Sequence, residues 1–287
     1  MPELPEVEHI SRWLHPQFVG QTLEGVVVHE GGQRQLPQGE AVVRERIRDR
    51  KVLGIGRRGK VILMELDGGD TLAIHLKMTG QLWPAAPSSQ RAGAEGAASP
   101  THVRLSLLFH QYGALQFVDV RRFGWLQVWT PRERASWESK LGPEPLPSLP
   151  TGWAEALRGQ RAIKSVLLDQ RLIAGIGNIY ADEILFRAAL HPRRPVGSLS
   201  PGERQRLRGA IEQEMQAAVD EREGIPDQKR VGGGDRSVKA LFDWRVFQRG
   251  GEACFTCHEM IAYETVAQRG TYFCPRCQPV NGHPMNS

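Results

Sequence analysis

The N-terminal end of the chain combines groups that can perform nucleophilic catalysis. Pro2 follows the initiator Met1, and a small second residue such as proline normally allows the cell to remove Met1. The proline nitrogen would then be a secondary amine with a pKa of roughly 7.7 to 8.0, partly unprotonated at neutral pH. Attack of that amine on a sugar C1′ or a carbonyl would form an iminium. Glu3 and Glu6 lie three residues apart beside it, so two carboxyl groups would accompany the nucleophile.

The cysteines form a second group with a chemical pattern. All of them lie near the C-terminal end, where they form two CxxC pairs, and they are Cys254, Cys257, Cys274 and Cys277. Each pair lets two thiolates bind one ion from a tight turn, and two such turns complete a tetrahedral site. Redox-active and iron-binding sites are the alternatives, but a closed set of four cysteines favours one structural zinc ion in a β-hairpin ribbon. In a chain without a secretion signal, this spacing indicates metal binding and not disulfides.

Two glycine-containing turns could approach phosphate groups. The sequence GIGN at residues 175–178 lies between two predicted helices, where backbone N–H groups and a helix dipole can face an anion. The sequence RRGK at residues 57–60 predicts a basic hairpin turn. Turns of both kinds are common on protein surfaces, so each is a weak signal when taken alone.

A predicted helix positions the N-terminal groups. Apolar residues recur at helical spacing after Pro5 and stop before Gly20, which predicts a helix over residues 5–18 with one face anchored in a core. The apolar stripe consists of Val7, Ile10, Leu14 and Phe18. Proline and glutamate are favoured in the first turn of any helix, because proline lacks a donor there and glutamate complements the helix dipole. Taken alone, the N-terminal residues therefore favour an ordinary helix start.

Many short strands are predicted to follow this helix. Apolar runs separated by glycines predict strands within residues 22–30, 52–66, 71–78, 103–109, 114–120 and 125–129. A series of this kind after a single helix indicates an α+β fold with a two-layer β-sandwich. Residues 85–100 are rich in Ala, Ser, Gly and Pro, and we interpret them as a flexible surface insertion without a chemical role.

The second half of the chain is predicted to be helical. The sequence LGPEPLPSLPT at residues 141–151 is rich in proline and predicts a linker. Helices are predicted over residues 153–158, 162–170, 179–189 and 201–222, and a mobile polar loop over residues 224–236. The predicted domains are an N-terminal domain at 1–140, a linker at 141–151, a helical domain at 152–243 and a zinc ribbon at 244–287.

Composition sets few limits on the partner. A chain of 287 residues with 40% hydrophobic and 24% charged residues is typical of a soluble globular protein with two modest domains. The 37 basic residues exceed the 32 acidic ones, and this net charge of +5 permits a nucleic-acid partner without requiring one. No apolar run is long enough to span a membrane, and no signal peptide is evident. We therefore expect a cytoplasmic protein.

Several motifs resemble one family along nearly the whole chain. The sequence MPELPEVE at residues 1–8 matches, letter for letter, the N-terminus of the formamidopyrimidine-DNA glycosylases, bacterial repair enzymes that remove oxidised bases. HLKMTG at 75–80 and DVRRFG at 119–124 are similar to the family motifs HLxMxG and DxRxFG. AGIGNIYADEILF at 174–186 resembles the family's helix-two-turn-helix, and the cysteine pairs resemble its zinc ribbon.

The resemblance implies a role for each matching residue. Catalytic roles fall to Pro2 as nucleophile, Glu3 as the acid at the deoxyribose ring oxygen, Glu6 as organiser of the amine, and Lys60 as a phosphate-binding lysine. Met78, Arg121 and Phe123 would fill the space that an extruded base leaves, which costs a few kcal/mol if it stays empty. The other implied DNA contacts are His75, Arg122, Lys164, Asn178 and Arg269.

The resemblance also implies an activity and a partner. We expect a bifunctional DNA glycosylase and AP lyase of base excision repair that excises oxidised purines through a proline Schiff base with β,δ-elimination. Its partner would be double-stranded DNA containing a damaged base or an abasic site. We expect a monomer that associates with the bacterial nucleoid through DNA, with one structural Zn²⁺ and no catalytic metal or organic cofactor.

One region departs from the family pattern. Between the long helix and the ribbon we expect a motif like GG[ST]T followed by aspartate, whereas the chain has GIPDQKRVGGGDRSVKALF at residues 224–242. This region carries the loop that closes over the damaged base in the family, so lesion preference stays open. The alternatives are an endonuclease VIII-like preference for oxidised pyrimidines or abasic sites, and a non-catalytic protein that binds damaged DNA.

Overall fold

The computed structural model describes residues 1–85, 101–223 and 243–280. The predicted surface insertion, except for its first residue Ala85, and the departing segment at 224–242 lie outside these ranges. The chain divides into two compact units, one formed by residues 1–139 with 222–240 and the other by residues 140–221 with 241–287. The domain boundaries predicted from the sequence stay predictions.

The first unit is a β-sandwich with an N-terminal helix, as predicted. Its helices are α1 (Leu4–Phe18), α2 (Glu40–Ile47) and α3 (Pro131–Glu138). Its strands are β1 (Leu23–Val28), β2 (Val52–Arg58), β3 (Val61–Leu66), β4 (Thr71–His75), β5 (Gly80–Ala85), β6 (Val103–Phe109), β7 (Gly113–Asp119) and β8 (Trp125–Trp129). The strands form two antiparallel sheets, ordered β1-β6-β7-β5 and β2-β3-β4-β8.

Helix α1 is held against the sandwich by its apolar stripe. Val7, Ile10, Leu14 and Phe18 are all at most 1% exposed and belong to the same cluster as the inward side chains of both sheets. Fully burying each such side chain stabilises the fold by roughly 1.5–3 kcal/mol. The stripe therefore fixes the helix, and with it the position of the N-terminal residues.

The sequence did not predict α2, α3 or β5. Among the described strands, β5 pairs only with β7 at the edge of its sheet, where Pro84 is tolerated because an edge position does not need its N–H. Helix α3 starts with a capping box in which Thr130 and Glu133 each accept from the other's backbone N–H. The spacing of threonine, proline and glutamate at residues 130–133 is a signal that could have identified α3.

The second unit is helical and ends in a hairpin. Its elements are α4 (Trp153–Ala156), α5 (Ile163–Leu167), α6 (Asn178–Arg187), α7 (Pro201–Glu223), β9 (Ala262–Val266) and β10 (Arg269–Phe273). The last two residues of α7 belong to the first unit. The predicted helices are confirmed, although α4 and α5 are shorter than predicted. Among the described residues, no helix has both the length and the apolarity needed to cross a membrane.

Candidate functional site

The N-terminal carboxylates are built into the start of α1. Glu3 caps the helix and forms a capping box with Glu6, in which the Glu3 backbone N–H donates to Glu6 Oε2 at 2.8 Å. The Glu3 side chain is buried at 1% exposure, and Pro2 is buried as well. The helix start thus serves both the fold and the site, because it brings both carboxyl groups next to the N-terminal residues. In this structure Met1 is attached to Pro2, so the amine requires removal of Met1.

A residue that sequence reasoning missed faces Glu6. The Arg222 guanidinium donates to Glu6 Oε1, and both side chains are largely buried. Burial alone would raise the pKa of Glu6, but Arg222, backbone N–H groups and the amino terminus together lower it. Glu6 is therefore a carboxylate at neutral pH. Nothing in the sequence marks Arg222, since it is separated from Glu6 by most of the chain.

Lys60 and His75 are brought together at one end of the second sheet. Lys60 follows Gly59 in the turn between β2 and β3, and His75 ends β4. Burial, followed by the charges of Lys77 and Lys60, lowers the pKa of His75 to about 3. The imidazole is therefore neutral at pH 7, with Nδ1 accepting from the Lys77 N–H at 3.0 Å. A neutral ring with Nδ1 as acceptor carries its hydrogen on Nε2, which can serve as a donor.

Met78, Arg121 and Phe123 form an exposed cluster, which we call the apolar wedge. The Arg121 guanidinium donates to the Met78 sulfur at 3.2 Å and lies 4.8 Å from the centre of the Phe123 ring. Met78 is 44% exposed and Phe123 is 53% exposed. Large apolar side chains with this exposure cost solvation energy in a free protein, so the arrangement indicates a binding surface.

Asp119 organises the loop that carries two members of the wedge. Its buried carboxylate accepts from the Thr79 hydroxyl at 2.5 Å, from the Gly124 N–H at 2.8 Å and from Gln35 Nε2 at 3.1 Å. It also accepts from the Arg121 N–H at 3.2 Å. The motif DVRRFG contained this aspartate, but sequence reasoning assigned it no role.

Arg122, which lies between the two wedge residues, adopts a left-handed conformation with φ of 57°. Its side chain is exposed and packs over Gly31, where an added Cβ would lie 2.8 Å from the guanidinium carbon. A positive φ is uncommon for arginine, so this loop is held in a strained conformation. Arg121 and Phe123, on either side of it, lie against each other.

In the second unit, α5 and α6 are joined by the predicted glycine turn. Gln170 closes this turn, because its Oε1 accepts from the Gly175 N–H and its Nε2 donates to the Ile176 carbonyl, both at 2.8 Å. Gly175 has φ of +90°, a conformation that favours glycine. Asn178 then begins α6. The turn fixes the direction of α6 and the position of the Asn178 side chain.

Lys164 and Asn178 converge on one carbonyl of the C-terminal hairpin. Lys164 Nζ donates to the Gly270 carbonyl at 3.0 Å, and Asn178 Nδ2 donates to the same oxygen at 2.9 Å. Lys164 also donates to Asp182 at 2.7 Å and to the Thr271 hydroxyl at 2.7 Å. This network fixes the strand that begins with the exposed Arg269.

Lys164 is fully buried in this network. A direct phosphate contact needs an accessible ammonium group, whereas Lys164 and its partner Asp182 are both 0% exposed. A buried lysine needs a partner charge and further acceptors, and Asp182 with the hairpin oxygens supplies them. This burial argues against a direct contact of Lys164 with phosphate, and the phosphate-binding role that the resemblance implies stays a prediction.

The buried pair predicts a large effect on stability. We expect Lys164→Met to lower the free energy of unfolding by about 3–5 kcal/mol, because it leaves the Asp182 carboxylate buried without its counter-ion. Urea unfolding measures the change. The double variant Lys164→Met with Asp182→Leu removes both charges and should be more stable than the single variant. Wild-type stability combined with weaker DNA binding and a smaller salt dependence would instead place Lys164 at a phosphate.

The cysteines form a compact site that fits a metal ion. Their four sulfurs lie within 4.8 Å of one another, with Cys254 and Cys277 at 3.9 Å and Cys257 and Cys274 at 3.4 Å. Four thiolates at ~2.3 Å from a tetrahedral zinc ion are separated by about 3.8 Å, so these distances suit zinc. Burial opposes ionisation of Cys254, but N–H bonds from the Cys257 and Thr256 backbone contribute to a lowered pKa of this thiol, whereas burial raises the pKa of Cys274 to about 11. The site therefore holds one structural zinc ion.

Comparison with known families covers both units. Residues 1–126 match the model of the formamidopyrimidine-DNA glycosylase N-terminal domain, and residues 141–229 match that of the formamidopyrimidine-DNA glycosylase H2TH domain. Residues 251–280 match the zinc finger found in FPG and IleRS.

Relatives match along the full length of the chain. The formamidopyrimidine-DNA glycosylase of Chloroflexus aurantiacus is 40% identical over 281 residues, which cover 97% of this chain and 98% of the relative. The chain belongs to the formamidopyrimidine-DNA glycosylase family. A second formamidopyrimidine-DNA glycosylase, from Symbiobacterium thermophilum, is 39% identical over 286 residues, covering 98% of this chain and 90% of the relative.

Solved formamidopyrimidine-DNA glycosylase structures share the fold. The Lactococcus lactis enzyme in complex with DNA containing an abasic site superposes with a TM-score of 0.82 at 30% identity, covering 96% of this chain and 99% of that one. The same enzyme with DNA containing Fapy-dG also gives a TM-score of 0.82 at 30% identity, covering 96% and 100%. The fold expected from the family resemblance is thus confirmed, including the zinc ribbon.

Proposed function

We propose that this chain is a bifunctional DNA glycosylase and AP lyase that removes oxidised purines from double-stranded DNA in the bacterial cytoplasm, on the nucleoid. The observation that carries the proposal is the helix start of α1, where a capping box joins the buried Glu3, which directly follows Pro2, to the ionised Glu6. Relatives named formamidopyrimidine-DNA glycosylase and solved complexes with abasic-site and Fapy-dG DNA support the substrate class.

Each group of the N-terminal site has a role in the proposed reaction. The neutral Pro2 amine attacks C1′ of a flipped nucleotide, and the base leaves with the electron pair of its bond to C1′. Glu3 gives a proton to the ring oxygen, the bond from C1′ to that oxygen breaks, and the proton that the nitrogen loses passes to the departing base. C1′ is then held as an iminium. Successive β- and δ-elimination break the strand on its 3′ and 5′ sides, while Glu6 orients the amine and nearby water.

The wedge residues would make C1′ of the damaged nucleotide accessible to the amine. A base must leave the helical stack before its sugar can be attacked, and the vacated space is costly unless side chains fill it. Met78 and Phe123 supply apolar bulk, and the Arg121 guanidinium can donate to the orphaned partner base. Their proximity in one exposed cluster supports this role.

The remaining site residues are proposed to bind the DNA backbone. Lys60, His75 and Arg122 would contact phosphates from the first unit, and Arg269 would do so from the ribbon hairpin. We propose that Lys164 and Asn178 act mainly by holding the Gly270 carbonyl and therefore the strand of Arg269. Phosphate contacts make the affinity for DNA fall as the salt concentration rises. The slope of log affinity against log salt concentration therefore reports the number of phosphate contacts.

Borohydride trapping tests the proposed chemistry. We expect a covalent adduct with a duplex bearing 8-oxoguanine opposite cytosine, and with an abasic-site duplex, because borohydride reduces the iminium to a stable amine. Intact mass confirms that Met1 has been removed. A Pro2→Gly variant keeps a primary amine and should trap more weakly, whereas an N-terminal extension that keeps Pro2 as an amide should abolish trapping.

Each outcome of this experiment assigns a function. An adduct on the abasic duplex alone would keep the lyase and indicate a different lesion class, with oxidised pyrimidines as the next substrates to test. Tight binding of both duplexes without any adduct would overturn the proposal and indicate a protein that binds damaged DNA.

A further inference from the structure

The Glu6 carboxylate has a specific donor on each oxygen. Oε2 accepts from the Glu3 backbone N–H at 2.8 Å, and Oε1 accepts from the Arg222 guanidinium. The Glu6 side chain is 15% exposed and that of Arg222 is 3% exposed. Because arginine is almost never buried to this degree without a paired anion, the two side chains form a unit. The carboxylate is thereby fixed in one orientation beside the N-terminal residues.

A neighbouring ion pair is exposed to solvent. Glu223, next to Arg222, accepts from Arg12 at 2.5 Å, and Arg12 also donates to Glu8 at 2.7 Å. Arg12 and Glu223 are 53% and 58% exposed, and exposed pairs of this type contribute little. Of these two ion pairs, the buried one therefore has the larger electrostatic effect.

A second arginine is paired with a different glutamate of α1. From β2, which packs against α1, Arg57 donates to Glu8 at 2.6 Å, one helical turn away from the N-terminal site. Glu3 lies in the same capping box as Glu6. Glu6 and Glu3 are thus acidic groups at the start of α1, and Arg222 is a cation directly paired with Glu6.

An unpaired carboxylate next to an amine has an unwanted effect. It stabilises the ammonium form and so reduces the fraction of neutral, nucleophilic amine. A carboxylate whose charge is balanced by arginine can still accept a hydrogen bond and orient the nitrogen, but it attracts the proton less strongly. The pairing of Glu6 with arginine therefore lets the carboxylate orient the amine without strongly favouring its protonated form.

We propose that Arg222 is a positioning residue that balances the charge of Glu6, so that Glu6 orients the Pro2 amine without holding it in the protonated form. This inference rests on the proposed iminium chemistry. It concerns a residue outside the motifs that indicated the family, at the end of α7 and immediately before the segment that departs from the family pattern.

The pH dependence of the reaction tests this role. We expect the single-turnover rate of borohydride trapping on an abasic-site duplex to rise with pH as the amine loses its proton. In Arg222→Gln, this rise should move to higher pH by about one unit. The rate should fall about tenfold at pH 7 and return to near the wild-type value above pH 9, since only the protonation of the amine changes.

Two further variants separate charge from structure. Arg222→Lys restores the positive charge and should restore most of the wild-type pH profile, even if its geometry is less favourable. Arg12→Gln removes an arginine that faces the same helix end from the solvent side, and its pH profile should match the wild type. Melting temperatures show that each variant is folded.

The possible results are distinct. A rate for Arg222→Gln that is lowered equally at every pH, or that is unchanged, would overturn the positioning role while trapping by the wild type preserves the proposed function. Failure of the wild type itself to form an adduct would overturn the proposed function first.

Discussion

The Glu3→Gln variant is expected to lose excision of an oxidised purine by about 10²- to 10⁴-fold, the usual contribution of a positioned general acid. Glutamine keeps the shape of the side chain and a carbonyl oxygen that can accept in the capping box. It cannot supply a proton to the deoxyribose ring oxygen. The loss of excision activity therefore measures the contribution of the transferred proton and not a change in the fold.

The substrate dependence of this loss is the sharper test. An abasic site exchanges spontaneously between its closed ring and an open aldehyde, so the amine can react with it without a proton from Glu3. Strand cleavage at an abasic site should consequently fall far less than base excision. Single-turnover rates on both duplexes, with melting temperatures as a check on folding, measure the difference.

Glu8→Gln is the matched control. Glu8 lies on the same helix and is paired with Arg57 and Arg12, outside the proposed chemistry. Its substitution should leave both rates near those of the wild type. Equal losses on the two substrates in Glu3→Gln would contradict the proposed role and indicate that Glu3 acts on the amine or on the helix start.

Periodic segments of the chain were predicted well from sequence. Strands β6 and β8 have the predicted bounds, because their apolar runs are closed by clear turns on both sides. Helix α1 begins one residue earlier than predicted, since Leu4 also joins the buried stripe. Local spacing was enough in these cases because the signal and the structure lie in the same few residues.

The elements that were not predicted have weak or interrupted apolar patterns in the sequence. Helix α2 presents only Val43 and Ile47 to the core, one turn apart, and the rest of it is polar or exposed. Strand β5 contains Pro84 and borders the insertion, so its apolar pattern is interrupted. Both are held by tertiary contacts that a local pattern does not contain.

In the candidate site, residue types were likewise predictable from sequence, whereas the surroundings of each residue were not. The residue types at the N-terminus and in the CxxC pairs indicate chemistry directly, since few other functions use them at that spacing. The environment of a residue is not local. Lys164 has the sequence context of a surface lysine, and its burial depends on Asp182 and on the hairpin a hundred residues further along. The role of Arg222 likewise depends on its contact with Glu6, which the sequence does not reveal.

Removal of zinc is expected to have the second large effect. The apolar cluster around the site contains few buried residues, which are Val246, Cys254, Ile261 and Cys274. Structural zinc sites contribute about 10–16 kcal/mol of apparent binding free energy, which is comparable with the entire stability of a domain. The β9–β10 hairpin should therefore unfold when the metal is lost.

The hairpin turn makes this dependence stronger. Ala267 and Gln268 both have positive φ, of 50° and 61°, in the left-handed region that glycine and asparagine prefer. The turn is thus held by its strands and not by its own residues. Arg269 follows directly, so loss of the ribbon would release the proposed phosphate contact.

We expect a chelator to release one zinc ion per chain and to abolish tight binding of an abasic-site duplex, measured by fluorescence anisotropy, and added zinc to restore it. Cys274→Ser should reproduce the loss. His258→Ala is the matched control, because His258 adjoins Cys257 in the chain but does not belong to the cluster of four cysteines among the described residues. Full binding by metal-free protein would show that the ribbon does not carry a DNA contact, and loss of zinc from His258→Ala would revise the ligand set. The first of these results would assign the DNA contacts to the first unit, which contains the N-terminal site and the apolar wedge.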